Sequence, residues 1–180
     1  VRLTDLKTAC RAGFPGADID AVGAISAKRS SEDRKINTTE SKTYRDSRGV
    51  STRYGIGDLS FADAVVSFDK GSPAAALMNS DPSESLGRPN YSRANEDKNY
   101  VTLGCGGTLT VEFIDNVLID GPGNDLYVYE IGPDVEPTQV EISIDGKNWI
   151  RVGSVRGSTA SLDIGKFVSP LDEFRFVRLT

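Results

Sequence analysis

The chain has 180 residues, 26 acidic against 21 basic side chains, a formal charge of −5 and no histidine. An acidic balance without Lys/Arg clusters argues against a nucleic-acid surface. The absence of histidine excludes Ser-His-Asp and Cys-His catalysis and every His-based metal centre. No run approaches the ~18–20 apolar residues that cross a bilayer as a helix.

The chain starts with Val1-Arg2-Leu3-Thr4, and the same four residues recur as Val177-Arg178-Leu179-Thr180. The first copy runs on into Asp5-Leu-Lys-Thr-Ala-Cys10 and Gly16-Ala-Asp-Ile-Asp20-Ala-Val-Gly-Ala-Ile25, which reads as the continuation that the second copy lacks. Residues 1–26 are therefore predicted to be a strand segment that completes a β-sandwich, in cis or in trans. Ile19, Ala21, Val22 and Ile25 are its core contacts. Cys10 and Cys105 are the only cysteines, lie beside glycines and lack CxxC spacing, a pattern that fits a disulfide in an exported protein better than a zinc site or an activated thiol.

From Lys28 to about Tyr54 the sequence is crowded with charge of both signs and Ser/Thr and is nearly free of apolar residues. Such a composition does not build a core, so residues 27–57 are predicted to be a polar linker or extended arm. Asn37-Thr-Thr39 and Asn90-Tyr-Ser92 match the glycosylation acceptor pattern, which shows only that sugar attachment is possible.

Residues 58–180 form the predicted sandwich body. Eight short segments carry β-branched and aromatic residues bounded by Gly, Pro, Asn and Asp: 61–68, 100–103, 108–114, 125–131, 139–144, 149–152, 160–164 and 173–179. Eight short strands at this spacing spell an all-β sandwich or jelly roll. Asp145-Gly146 marks a hairpin, and helix is confined to a turn or two near Pro73–Met78.

Ile142-Ser-Ile-Asp-Gly-Lys-Asn-Trp149 and Phe174-Arg-Phe-Val-Arg-Leu179 are similar to the hairpin and late strands of discoidin-like, or galactose-binding-like, sandwiches. The segments 59–68, 121–130, 178–180 joined to 5–7, and 15–25 resemble a sandwich module of bacterial surface and OmpA-like envelope proteins. In that family the GADIDAVGAI strand closes the domain at its C-terminal end, whereas here it stands in front. The resemblance implies a sandwich at the cell surface and carries over no catalytic residues.

Asp18, Asp20, Asn124, Asp125 and Glu130 offer hard oxygen ligands near glycines, which suits a Ca²⁺ site. If the Gly16–Asp20 and Gly121–Asp125 motifs meet, Asp18 and Asp20 point the same way, because i and i+2 share a strand face. The competing reading is that Asp and Asn are the ordinary residues of β-turns. Trp149, the single tryptophan, reads as a core anchor before a sugar-stacking platform. Tyr127 and Tyr129 read as residues packed between sheets. Nothing marks a tuned acid–base pair, so no enzyme is expected.

Two functions are then open. One is an extracellular filament subunit assembled head to tail from its own copies by donor-strand complementation, locked by the disulfide and stiffened by calcium. The alternative is a self-contained carbohydrate-binding or adhesion module of a cell envelope, with glycans as partners.

Overall fold

The computed structural model describes residues 16–30, 40–92, 99–133 and 135–180. These form thirteen strands: β1 (Asp18–Ala24), β2 (Ala27–Arg29), β3 (Lys42–Arg45), β4 (Ser51–Tyr54), β5 (Ala64–Asp69), β6 (Val101–Thr102), β7 (Thr108–Glu112), β8 (Asn116–Leu118), β9 (Leu126–Glu130), β10 (Val135–Ser143), β11 (Ile150–Gly157), β12 (Ser161–Leu162) and β13 (Phe176–Leu179). The fold is an all-β sandwich. One sheet has the order β12-β9-β1-β6 and the other β11-β10-β13-β7-β5. The small pairs β2–β8 and β3–β4 complete it, and all pairings are antiparallel.

Alternation along the strands explains the five-stranded sheet. In β13, Val177 and Leu179 are buried while Phe176 and Arg178 are only half-buried. Val177 opposes Val111 of β7 and Ile142 of β10, so one face of three neighbouring strands is apolar. That face closes on the four-stranded sheet around Ile19, Val22, Leu126 and Val128, all without solvent exposure.

All eight strands expected in the body are present, with shifted bounds. The expected helical turn is instead two 3₁₀ turns, Leu77–Asn79 and Pro82–Ser85. At Asp145 the chain makes a six-residue connection, 144–149. It is built on the Asp145 carboxylate, which accepts the N–H groups of Lys147 and Asn148, with Gly146 at φ 71°.

The stretch expected to be an arm differs most. Residues 31–39 lie outside the described residues, but β3 and β4 form a hairpin laid over the outer face of the four-stranded sheet. Tyr54 is fully buried, 4.9 Å from Phe61 and 6.4 Å from Tyr129 between ring centroids, and Tyr44 meets Phe61 edge-on at 5.0 Å. Two tyrosines and one buried carboxylate, Asp46, give the hairpin an anchor that its composition hides. Tyr127 and Tyr129 accordingly point at this hairpin and not between the sheets, the Tyr127 hydroxyl donating to Asp46 at 2.8 Å. Trp149 is half-buried at the surface, with the Arg178 guanidinium 4.1 Å above its ring, so the expectation of a core anchor is corrected.

Candidate functional site

The most unusual place in the fold is the slot that holds β1. A strand from the front of the chain lies between β9 and β6, which belong to the middle of the sequence. Its backbone is paired on both sides: Ile19–Ala24 with Glu130–Leu126, and Asp18 and Ile19 with Thr102 and Val101. Further bonds extend the seam, from Leu103 N–H to the Ala17 carbonyl at 2.9 Å and from Ile25 N–H to the Asp125 carbonyl at 2.6 Å.

Both faces of β1 are covered, which is why its sequence alternates with unusually small residues. Ile19, Val22 and Ala24 enter the core between the sheets, while Ala21 and Gly23 sit opposite Tyr129 and Tyr127 under the hairpin. Ile19, Ala21 and Val22 have no exposure, and Ile25 packs half-buried at the rim. Burying a side chain such as Ile19 or Val22 contributes about 1.5–3 kcal/mol each. An empty slot would in addition expose unpaired backbone groups along β9 and β6.

The chain enters the slot beside the turn at residues 104–107. Gly16 packs so closely on Gly104 that an added Cβ would stand 2.4 Å from the Gly104 carbonyl oxygen. Cys105, in that turn, is disulfide-bonded; Cys10 lies outside the described residues. Thr180, at the end of β13, reaches the same region, its hydroxyl 3.3 Å from that of Thr108.

The five expected metal ligands separate into two groups. Asp125 immediately precedes β9 and Glu130 ends it, about 16 Å away at ~3.3 Å per residue, and antiparallel pairing sets Asp18 and Asp20 at the Glu130 end. The Gly16–Asp20 and Gly121–Asp125 motifs therefore do not meet. A bulge between Ile19 and Ala21 also breaks the shared face expected of Asp18 and Asp20. Asp18 accepts a hydrogen bond from the Thr102 hydroxyl, whereas Asp20 turns to the N–H groups of Asn90 at 3.0 Å and Tyr91 at 3.3 Å.

At this end the carboxyls are held in an environment that disfavours charge. Burial pushes Asp20 up to about 6 against the pull of the Asn90 and Tyr91 N–H groups, with Glu84 adding to the rise. Burial, then the charges of Glu136 and Asp18, push Glu130 up to about 8 although the N–H groups of Asp18 and Glu136 oppose it. Glu130 is 3% exposed and its Oε2 has no hydrogen-bond partner. Asp18 and Glu136 are also raised, chiefly by burial.

At the other end, Asp125 is fully buried and clamps two loops, accepting from Gly121 N–H at 2.8 Å and Ile164 N–H at 3.0 Å. Asn124 donates to the Ser161 hydroxyl at 2.8 Å and is not part of an acidic group. Asp125 instead joins Asp120 and Asp163, one oxygen of each lying within 4.8 Å of the others. Asp163 escaped the sequence reading because it sits in a segment read as a strand; the signal was the Asp163-Ile-Gly165 turn. No protein family, curated protein or solved structure matches the chain.

Proposed function

We propose that the chain is a noncatalytic subunit of an extracellular surface filament, in which residues 1–26 of one copy complete the sandwich of the next. The observation that carries this reading is β1 itself, a strand buried from Ile19 to Ala24 and inserted between β9 and β6. Its contacts are the same whichever copy supplies it. The repeated Val-Arg-Leu-Thr supports it further, because Thr180 and Gly16 flank one short turn, so a second copy of residues 5–15 placed after Thr180 would lead into the same slot. Head-to-tail donation makes an open chain when the rotation between successive copies does not close a ring. A disulfide between Cys10 and Cys105 would lock each joint at its entrance and fits an oxidising compartment.

The test is a nonreducing denaturing gel of the native full-length chain beside a reduced lane, with light scattering on the undenatured sample. A ladder of multiples that collapses on reduction is expected. Monomer in both lanes and in solution would sink the filament and leave the sandwich completed within one chain.

Calcium, if bound, belongs to Asp120, Asp125 and Asp163, as their convergence supports. At millimolar Ca²⁺ and a dissociation constant near 10⁻⁴–10⁻³ M, the gain is about 1 kcal/mol, or roughly 2–4 °C in melting temperature. Asp163→Asn is expected to abolish that rise. An unchanged melting temperature in the parent would remove calcium from the proposal.

The carbohydrate-binding alternative has one observation in its favour, an open depression of about 350 Å³ lined by Ile144, Asp145, Asn148, Trp149, Ile150 and Phe174. Its polar groups are already engaged: Asn148 donates to Asp145 at 2.7 Å, and Arg178 covers one face of Trp149. Strand donation is therefore the better supported reading.

A further inference from the structure

The Asp18 end of the β1 slot gathers carboxyls from several elements. Asp18 and Asp20 come from β1, Glu130 from β9 and Glu136 from β10, and Glu84 approaches from the 3₁₀ turn Pro82–Ser85. From β6 the neighbour is the neutral Thr102. The hairpin turn over β9 brings Ser47, whose hydroxyl donates to the Glu130 carbonyl at 3.2 Å, together with Asp46 and Arg48. The Arg48 guanidinium is taken by the Asp46 carboxylate and the Gly157 carbonyl. Among the described residues, the charges acting on Asp20, Glu130 and Glu136 are those of Glu84, Glu136 and Asp18, all acidic.

A carboxylate oxygen buried without a donor, as Glu130 Oε2 is, carries the full cost of lost hydration when ionised and much less when protonated. We propose that this end of β1 is an acid-tightened latch, in which protons on the carboxyls of Asp18, Glu130 and Glu136, and on Asp20 turned away from them, hold the strand in its slot and their loss loosens it. The chemistry is independent of which copy supplies β1; its use as a control on assembly rests on the filament reading.

The direction follows from linkage. Asp20 and Glu130 keep protons in the folded chain at pH values where the unfolded chain has lost them, between 3.8 and about 6 for Asp20 and between 4.5 and about 8 for Glu130. Their contribution is complete below the lower limits and is lost as pH rises through the upper ones. Each group acting alone changes the folding equilibrium by up to about tenfold per pH unit inside its window.

The experiment is urea denaturation of the full chain, disulfide intact, from about pH 4 to pH 9 at fixed ionic strength, with parent, Glu130→Gln and Asp20→Asn proteins. The parent midpoint is expected to fall across the range, and Glu130→Gln to flatten its upper part. A parent profile that stays level, or a Glu130→Gln profile parallel to the parent's, overturns the latch. Should Glu130→Gln fail to fold, Asp20→Asn decides: the slope below about pH 6 must shrink, and full retention overturns the proposal. Exchange between isotopically light and heavy copies with the disulfide reduced, read by mass spectrometry, separates the two ideas. Faster exchange at about pH 8.5 than at pH 5 supports both. A falling midpoint without exchange at either pH keeps the latch and removes donation between copies.

Discussion

Gly23→Val will stop β1 from seating and cost the protein most of its stability. A Cβ at this position would lie 2.8 Å from Cε1 of Phe61 and 2.9 Å from the hydroxyl of Tyr54, both rings being at most 1% exposed. Neither ring has room to retreat, because Phe61 is stacked between Tyr44, Tyr54 and Tyr129. Overpacking of this kind costs about 1–3 kcal/mol for modest insertions. Against it stand a gain of about 0.4–1 kcal/mol from a less flexible unfolded chain and at most ~1 kcal/mol of strand propensity. For Gly23→Ala the opposing effects nearly balance, leaving a loss of about 1 kcal/mol or less. For Val the branched side chain must displace both rings, and a loss of about 3 kcal/mol or more is expected. Urea denaturation at neutral pH reads the difference. A Val variant as stable as the parent would show that β1 does not lie under the hairpin as described.

The same strand shows what a sequence reader can and cannot see. Alternation in Phe174–Leu179 and Thr108–Ile114 announces half-buried strands because one face alone is apolar. In β1 both faces are buried, and Ala and Gly mark close approach from the second side, yet nothing local says that tyrosines on a distant hairpin make that approach. The hairpin was illegible for the converse reason. Lys42-Thr-Tyr-Arg45 and Ser51-Thr-Arg-Tyr54 each carry one large aromatic, and the charge around them suggests a solvated arm. Their burial is bought by contacts to Phe61, Tyr127 and Tyr129, none of them within five residues of the hairpin. The acidic residues were visible as a class, but their grouping depends on one bulge at Ile19–Ala21 and on the direction of β9, and neither leaves a compositional trace. β8 was missed because three residues are too few for a period to show.

Asp46→Ala is expected to release the hairpin and to lower stability by about 3–5 kcal/mol, the range for removing one partner of a buried ion pair. One carboxylate organises the whole turn. Its Oδ1 accepts the N–H groups of Arg48 at 3.0 Å and Val50 at 2.8 Å, and its Oδ2 accepts Arg48 Nε at 2.9 Å, Arg48 Nη2 at 2.7 Å and the Tyr127 hydroxyl at 2.8 Å. Truncation strands the Arg48 guanidinium, whose side chain is 13% exposed, and leaves a hydroxyl on the outer face of β9 without its acceptor. Burial pushes the Asp46 carboxyl up, but the hydrogen bonds from Tyr127, Arg48 and Val50 and the Arg48 charge outweigh it and hold it below its ordinary value of 3.8. Its contribution is therefore present above that value and is lost as pH falls through the lower, folded one, the opposite sense to Glu130. Parent and Asp46→Ala should differ most at neutral pH, where ionised Asp46 pairs with Arg48, and converge as the solution is acidified. Urea midpoints at about pH 7 and pH 3 test both parts. A difference that does not shrink in acid would assign the loss to packing at the turn, with no share for the ion pair, and a loss under about 1 kcal/mol at neutral pH would mean that the hairpin is held by Tyr44 and Tyr54 alone. In that event the cover over Gly23 owes little to charge, and strand insertion would be governed by the acidic end of β1.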